Sequence, residues 1–265
     1  MIRLESERLR VEVLPEHGCT ITSIVDRPSG VELLWSGARR PLPADLGPTG
    51  EASRDYFERC VFIGGWFPMF PMAGGPGSRT DVRLHGEAPR IGWDVVHDDG
   101  TRLTTEALLT DSVLLTRRTQ LDGAKLSVIT EACNGSPDPF EVLAAGEHPC
   151  FDLQQLGITA LRSAGSWTPL IRDEHVEHAV GHGVGEARLR CSKPDFDLEL
   201  RWDREELPGL LTWRRGHEIL AVEPKTFVGR SADDVGARHR TLAAGETMTW
   251  SLSVNLLARD SDGWG

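Results

Sequence analysis

Along much of this 265-residue chain, apolar and polar residues trade places one for one. Met248-Thr249-Trp250-Ser251-Leu252-Ser253-Val254-Asn255-Leu256 does so without a break. Successive side chains of a strand point to opposite faces, so such a segment buries one face and wets the other. Similar segments recur at residues 9–14, 20–25, 31–35, 93–97, 102–109, 113–120, 125–132, 187–191, 198–202, 210–213 and 219–223. Asp98-Asp99-Gly100 and Leu121-Asp122-Gly123 interrupt the pattern where two strands would meet. Asp-Gly between alternating runs is the strongest short-range hairpin signal. Helical periodicity is confined to a short stretch around residues 51–60. Many strands with tight turns and no strand–helix alternation predict an all-β chain. The expected architecture is a large antiparallel β-sandwich (a barrel being the related solution) with few short helices. No change of composition divides the chain, so residues 1–265 are expected to form one domain.

Charge narrows the partners. The net charge of −11 repels phosphate backbones, which argues against nucleic acid. No apolar run approaches the roughly 20 residues needed to span a bilayer. The first eight residues, Met1-Ile2-Arg3-Leu4-Glu5-Ser6-Glu7-Arg8, alternate charge and lack the apolar centre of a signal peptide. Cys19, Cys60, Cys133, Cys150 and Cys191 are odd in number and contain no C-x-x-C pair, which fits reduced thiols. The expectation is a cytoplasmic protein.

Two stretches break the strand pattern. Residues 36–55 carry Pro41, Pro43 and Pro48 and are expected to form a surface loop. Residues 64–90 hold six glycines and four prolines, yet also Trp66, Phe67, Met69, Phe70 and Met72. That apolar content predicts a packed loop, which can cap the sandwich, form a site, or do both.

Three polar side chains occupy readable settings. Glu223 follows Ile219-Leu220-Ala221-Val222 and precedes Pro224. His148 follows the apolar segment 140–145 and Gly146-Glu147, and precedes Pro149. Proline ends ladder pairing, so both are expected at strand ends, facing the mouth of the sandwich. A part-buried carboxylate there can act as a general base, and an imidazole with an ordinary pKa of about 6.5 can donate a proton. His85, before Gly86, closes the long loop. Singly, each has a commoner explanation: a histidine bonding a turn, or a solvated glutamate paired with Lys225.

Other constellations are weaker. His175, His178 and His182 have the spacing of three ligands on one helical face, but Gly181, Gly183 and Gly185 would break that helix. A solvated loop without metal is expected. No H-E-x-x-H, G-x-S-x-G, P-loop or dinucleotide fingerprint is present.

Further fragments join the three. Pro15-Glu16-His17-Gly18-Cys19-Thr20-Ile21-Thr22-Ser23-Ile24-Val25-Asp26 runs on to Gly30-Val31-Glu32-Leu33-Leu34-Trp35. Gly64-Gly65-Trp66-Phe67-Pro68-Met69-Phe70-Pro71 precedes Leu84-His85-Gly86 and Trp93. Glu147-His148-Pro149-Cys150-Phe151-Asp152-Leu153, Val222-Glu223-Pro224 and Leu242-Ala243-Ala244-Gly245-Glu246-Thr247 follow. In this order, over most of the chain, they resemble the aldose 1-epimerase (galactose mutarotase-like) family. The resemblance implies a large antiparallel β-sandwich and interconversion of the anomers of free or phosphorylated aldoses, without cofactor or metal. It implies Glu223 as the base at the sugar's O1, His148 as the acid at the ring O5, and His85 assisting near O5. The Asn-Arg pair that many members carry before the first histidine is absent, with Arg83 as its stand-in. Pro149-Cys150 replaces the usual polar–aromatic pair. Asp152, Asp173 and Asp195 are candidates for the sugar-binding aspartate. Trp66 and Trp93 are candidate platforms for sugar C–H groups, against the commoner fate of tryptophan as core. The implied partner is a small carbohydrate, and the protein is expected as a monomer or homodimer. The alternative is a carbohydrate-binding sandwich without catalysis.

Overall fold

A computed structural model describes residues 1–37, 44–110, 112–169, 177–235 and 239–259, with backbone only for strand Glu177–His182. The strands run in chain order. They are β1 (Ile2–Glu5), β2 (Leu9–Leu14), β3 (Thr20–Asp26), β4 (Val31–Glu32), β5 (Trp66–Met69), β6 (Asp94–Asp98) and β7 (Arg102–Leu108). Next come β8 (Val113–Asp122), β9 (Lys125–Asn134), β10 (Phe140–Val142), β11 (Gly146–Asp152), β12 (Ile158–Ser163), β13 (Ser166–Pro169) and β14 (Glu177–His182). The last are β15 (Glu186–Cys191), β16 (Phe196–Trp202), β17 (Gly209–Arg215), β18 (Ile219–Lys225), β19 (Arg240–Leu242) and β20 (Thr247–Ala258). A short helix, α1 (Ala52–Tyr56), continues into a π-helical turn over Phe57–Val61.

Two antiparallel sheets dominate, as the alternation predicts. One has the order β1-β2-β3-β5-β11-β18-β17-β14, with β4 on β3. The other has the order β13-β12-β15-β16-β20-β9-β8-β7-β6. In β20, Met248, Trp250, Leu252, Val254 and Leu256 turn inward. They meet Trp66, Phe151, Leu210, Leu220 and Val222 of the first sheet in the main core.

The second sheet is wet on its far side, but the first is covered on both at its centre, across β5, β11 and β18. A separate apolar cluster lies on its outer face, where Phe67, Met69, Cys150, Ile219 and Ala221 meet Phe57, Val61, Phe62 and Leu84. Residues 219–223 therefore do not alternate as expected: burial on both faces of β18 accounts for the unbroken apolar run Ile219-Leu220-Ala221-Val222.

Three expectations need correction. Residues 64–90 are not one loop. They contain β5, a central strand paired with β11 along Gly146↔Met69, Glu147↔Pro68, His148↔Phe67 and Pro149↔Trp66. The glycines and prolines around it mask an otherwise strand-like tetrapeptide. Second, Pro149 and Pro224 lie inside strands, so His148 and Glu223 are not at strand ends. The β11–β18 ladder pairs at Gly146↔Lys225, then again from Cys150↔Ala221. The gap falls where the two prolines remove N–H donors. Third, residues 177–182 form β14, on β17 at the sheet's edge, instead of a solvated loop.

The cover over the outer face depends on one glycine. Gly86 has φ +74° and a Cβ there would overlap the Phe70 carbonyl oxygen. Gly86→Ala is expected to destabilise the protein by at least about 1–2 kcal/mol, the cost of the left-handed backbone alone. Urea unfolding of the variant measures it; an unchanged midpoint would contradict the packing described.

Candidate active site

The site follows from strand parity. On β18, Ala221, Glu223 and Lys225 share the outer face; on β11, His148 and Cys150 share it; on β17, Leu211 and Trp213 do. Leu211 pairs with Glu223 across β17–β18. The pairings on either side of the β11–β18 gap set His148 opposite Glu223. His148 Nε2 lies 3.4 Å from Glu223 Oε1, and Lys225 Nζ lies 3.8 Å from Glu223 Oε2. All three side chains are at most 5 % exposed. The Glu223–Lys225 pair exists, but buried, not on the surface.

His85 arrives from the cover. Its ring centroid is 5.2 Å from that of His148, edge to face. Its backbone is left-handed (φ +60°), a conformation that persists for a non-glycine residue only when its surroundings impose it. The surroundings are identifiable. His85 N–H donates to the Gly74 carbonyl at 2.9 Å. Buried Arg90 donates to the carbonyls on both sides of His85, Leu84 at 3.1 Å and Gly86 at 3.0 Å. It also donates to Leu46 and Ser53, tying the loop to α1. Phe67 stacks on the His148 ring at 4.6 Å, fixing its plane.

His85, His148, Glu223 and Lys225 line one cavity of about 310 Å³, with Trp213, Arg54, Arg230 and Glu58 also in its wall. That is the size of a small ligand pocket. Burial, the largest influence, holds the pKa of His85 well below 6.5, and neighbouring His148 adds to it. Burial likewise lowers His148, against the opposing pull of Glu223. Both imidazoles are therefore neutral at pH 7. Below about pH 6.5 the unfolded chain binds protons that the folded chain refuses, so stability falls as pH falls through the lowered pKa values. His85→Asn, which keeps a side chain tolerant of positive φ, should flatten the loss of Tm between pH 7 and pH 5. Parallel slopes for variant and wild type would contradict this.

Three other candidates lie elsewhere. Trp66 points into the main core, where its Nε1–H donates to Glu147 Oε2 at 2.7 Å. Adjacent residues of β5 face opposite ways, so Phe67 takes the cavity side and Trp66 cannot. Trp93 is 4 % exposed, in the same core, donating to the Ala88 carbonyl. Neither offers a free ring face to a sugar. Arg83 pairs with Glu87 at 3.1 Å and lines a different hollow, of about 560 Å³, with Arg79 and Asp81. Leu84 and His85, not Arg83, supply that wall of the cavity.

Among the aspartates, Asp152 is occupied in capping Leu153–Leu156, accepting from the Gln154 and Gln155 N–H groups. Asp195 immediately precedes β16 of the other sheet. Asp173 and His175 lie outside the described residues, as do the side chains of His178 and His182. Among the described residues, no three His, Cys, Asp or Glu side chains are grouped to hold a metal. No helix of the described residues is long and apolar enough to cross a membrane.

Sequence reasoning missed Lys225 as a cavity residue, along with Trp213, Arg54 and Arg230. Stepping by two from Glu223 would have found Lys225. The arginines come from non-strand segments and carried no such signal.

Behind His148, Glu147 faces between the sheets. Arg117 donates to both its oxygens, at 2.8 and 2.9 Å, and Trp250 Nε1–H donates at 2.9 Å. Thr130 also donates to Glu147, at 3.2 Å. The ion pair is 0 % and 1 % exposed.

No family model matches the sequence, and no curated protein does. Solved structures do. The Slr1438 protein of Synechocystis sp. PCC 6803 superposes with a TM-score of 0.75 at 18 % identity, covering 97 % of this chain and 96 % of its own. A galactose mutarotase-like protein from Lactobacillus casei ATCC 334 gives 0.67 at 18 % identity, with 97 % and 99 % covered. A galactose mutarotase related enzyme from Lactobacillus acidophilus gives 0.72 at 13 % identity, with 98 % of each chain covered. Superposition over nearly the whole of both chains, with two large antiparallel sheets, gives this chain a galactose mutarotase-like fold.

Proposed function

We propose that the protein is an aldose 1-epimerase, interconverting the anomers of a small sugar by acid–base ring opening. The observation that carries the reading is the His148–Glu223 pair at 3.4 Å, with His85 beside it, in one buried cavity. Opening a hemiacetal removes a proton from O1 and delivers one to O5. Glu223 accepts the first, and His148 supplies the second through Nε2. His85 supports O5 as negative charge gathers there. The C1–O5 bond breaks, the aldehyde turns about C1–C2, and closure returns both protons. Burial makes the imidazolium scarcer but a stronger acid, which suits a weakly basic ring oxygen. The steps are proton transfers with cleavage and re-closure of the C1–O5 bond, with no net oxidation or group transfer, so the reaction needs no cofactor. Five free cysteines fit a reducing compartment, and we read the protein as cytoplasmic.

The test is anomer exchange followed by NMR over a panel of free and phosphorylated aldoses. Catalysed exchange of at least one sugar is expected. Sugar binding in calorimetry with no exchange of any bound sugar would replace the enzyme with a carbohydrate-binding protein.

A further inference from the structure

The cavity side of β11 carries one group that the proton transfers above do not use. Cys150 follows His148 by two residues and lies on the same face, fully buried. Its Sγ is 3.3 Å from His148 Nδ1, and 4.0 Å from the His148 carbonyl oxygen. The other ring nitrogen, Nε2, faces the Glu223 carboxylate. A carboxylate offers only lone pairs, so a bare Nε2 opposite it would be repelled, and the proton of a neutral ring belongs there. Nδ1 is then a lone pair that wants a donor. Burial pushes the Cys150 thiol well up, and the Glu223 charge adds to that, so the sulfur keeps its proton. The nearest acceptor for that proton is Nδ1.

We propose that Cys150 is a positioning residue for His148: its S–H donates to Nδ1 and, together with the Glu223 carboxylate facing Nε2, fixes the imidazole with its own proton on Nε2, toward Glu223 and the cavity. For the reaction proposed above, that keeps the proton to be transferred on the nitrogen that faces the cavity. The acid is the imidazolium formed when Nδ1 takes a second proton, which Sγ then accepts as a hydrogen bond, and donation from Nε2 to the ring oxygen returns the neutral ring. The sulfur touches no substrate. It acts through the ring, as a carboxylate or carbonyl does behind many working histidines. Phe67 holds the plane of the ring, and Cys150 holds the arrangement of protons within it.

The experiment reads the tautomer directly. Long-range proton–nitrogen NMR of the ¹⁵N-histidine-labelled protein, with His148→Gln to assign the signals, should show His148 protonated at Nε2 and bare at Nδ1. Cys150→Ala leaves Glu223 alone to hold the proton on Nε2 against the His148 carbonyl, which can accept from Nδ1, and should mix in the other tautomer; Cys150→Ser, which keeps a donor, should restore the single one. Anomer exchange should drop about 2- to 10-fold in Cys150→Ala, the worth of one hydrogen bond, and recover in Cys150→Ser. A wild-type ring protonated at Nδ1, turned to its own carbonyl, would overturn the proposal. So would an unchanged tautomer in Cys150→Ala. Absence of exchange in the wild type would count against the reaction alone, because the tautomer is read without turnover.

Discussion

Glu223→Gln is expected to lower catalysed anomer exchange by about 10²–10⁴-fold, the usual worth of a positioned general base. Glutamine fills the same volume and can still hydrogen-bond a sugar hydroxyl, but it cannot take a proton. The effect should therefore fall on kcat, with sugar binding largely retained. Loss of the buried charge beside Lys225 also perturbs the fold, so the thermal midpoint must be measured with the rate. Exchange within a few-fold of wild type in a folded variant would remove Glu223 from the chemistry.

Arg117→Met is expected to destabilise the protein by about 3–5 kcal/mol, because it strands the Glu147 carboxylate between the sheets. Thr130, Trp66 and Trp250 would still donate to it, but no cation would balance it. Replacing both partners, as Arg117→Met with Glu147→Leu, should recover part of the loss. Chemical denaturation of the two variants measures both quantities. A single substitution costing under about 1 kcal/mol would mean that the pair does not hold the sheets together.

Alternation alone was enough to place Met248, Trp250, Leu252, Val254 and Leu256 on one face and to name the architecture. It also carries more of the site than motifs do, since His148 with Cys150, and Glu223 with Lys225, are separated by two. What misled was proline. A rule about the missing N–H puts Pro149 and Pro224 at strand ends, whereas here the missing donors fall at an unbridged stretch between β11 and β18. Trp66 and Trp93 were legible as core from the commoner fate of tryptophan, and parity within β5 settles the first. Arg83 was placed by its neighbourhood to His85 in sequence, which says nothing about direction in a turn where φ is positive. The approach of His85 to His148 had no local signal, because it depends on Arg90 gripping carbonyls across the whole cover.

Glu147 and His148 are consecutive, so the same alternation that aims one at the tryptophans aims the other at the cavity. Sliding β11 by a single residue would drive the imidazole among Trp66, Trp250 and Arg117 and swing the carboxylate outward. The internal ion pair thus works as a key in a lock: it forbids the misalignment that would take His148 out of the cavity. A mutant that has lost the pair has lost that safeguard, even where its sheets still close.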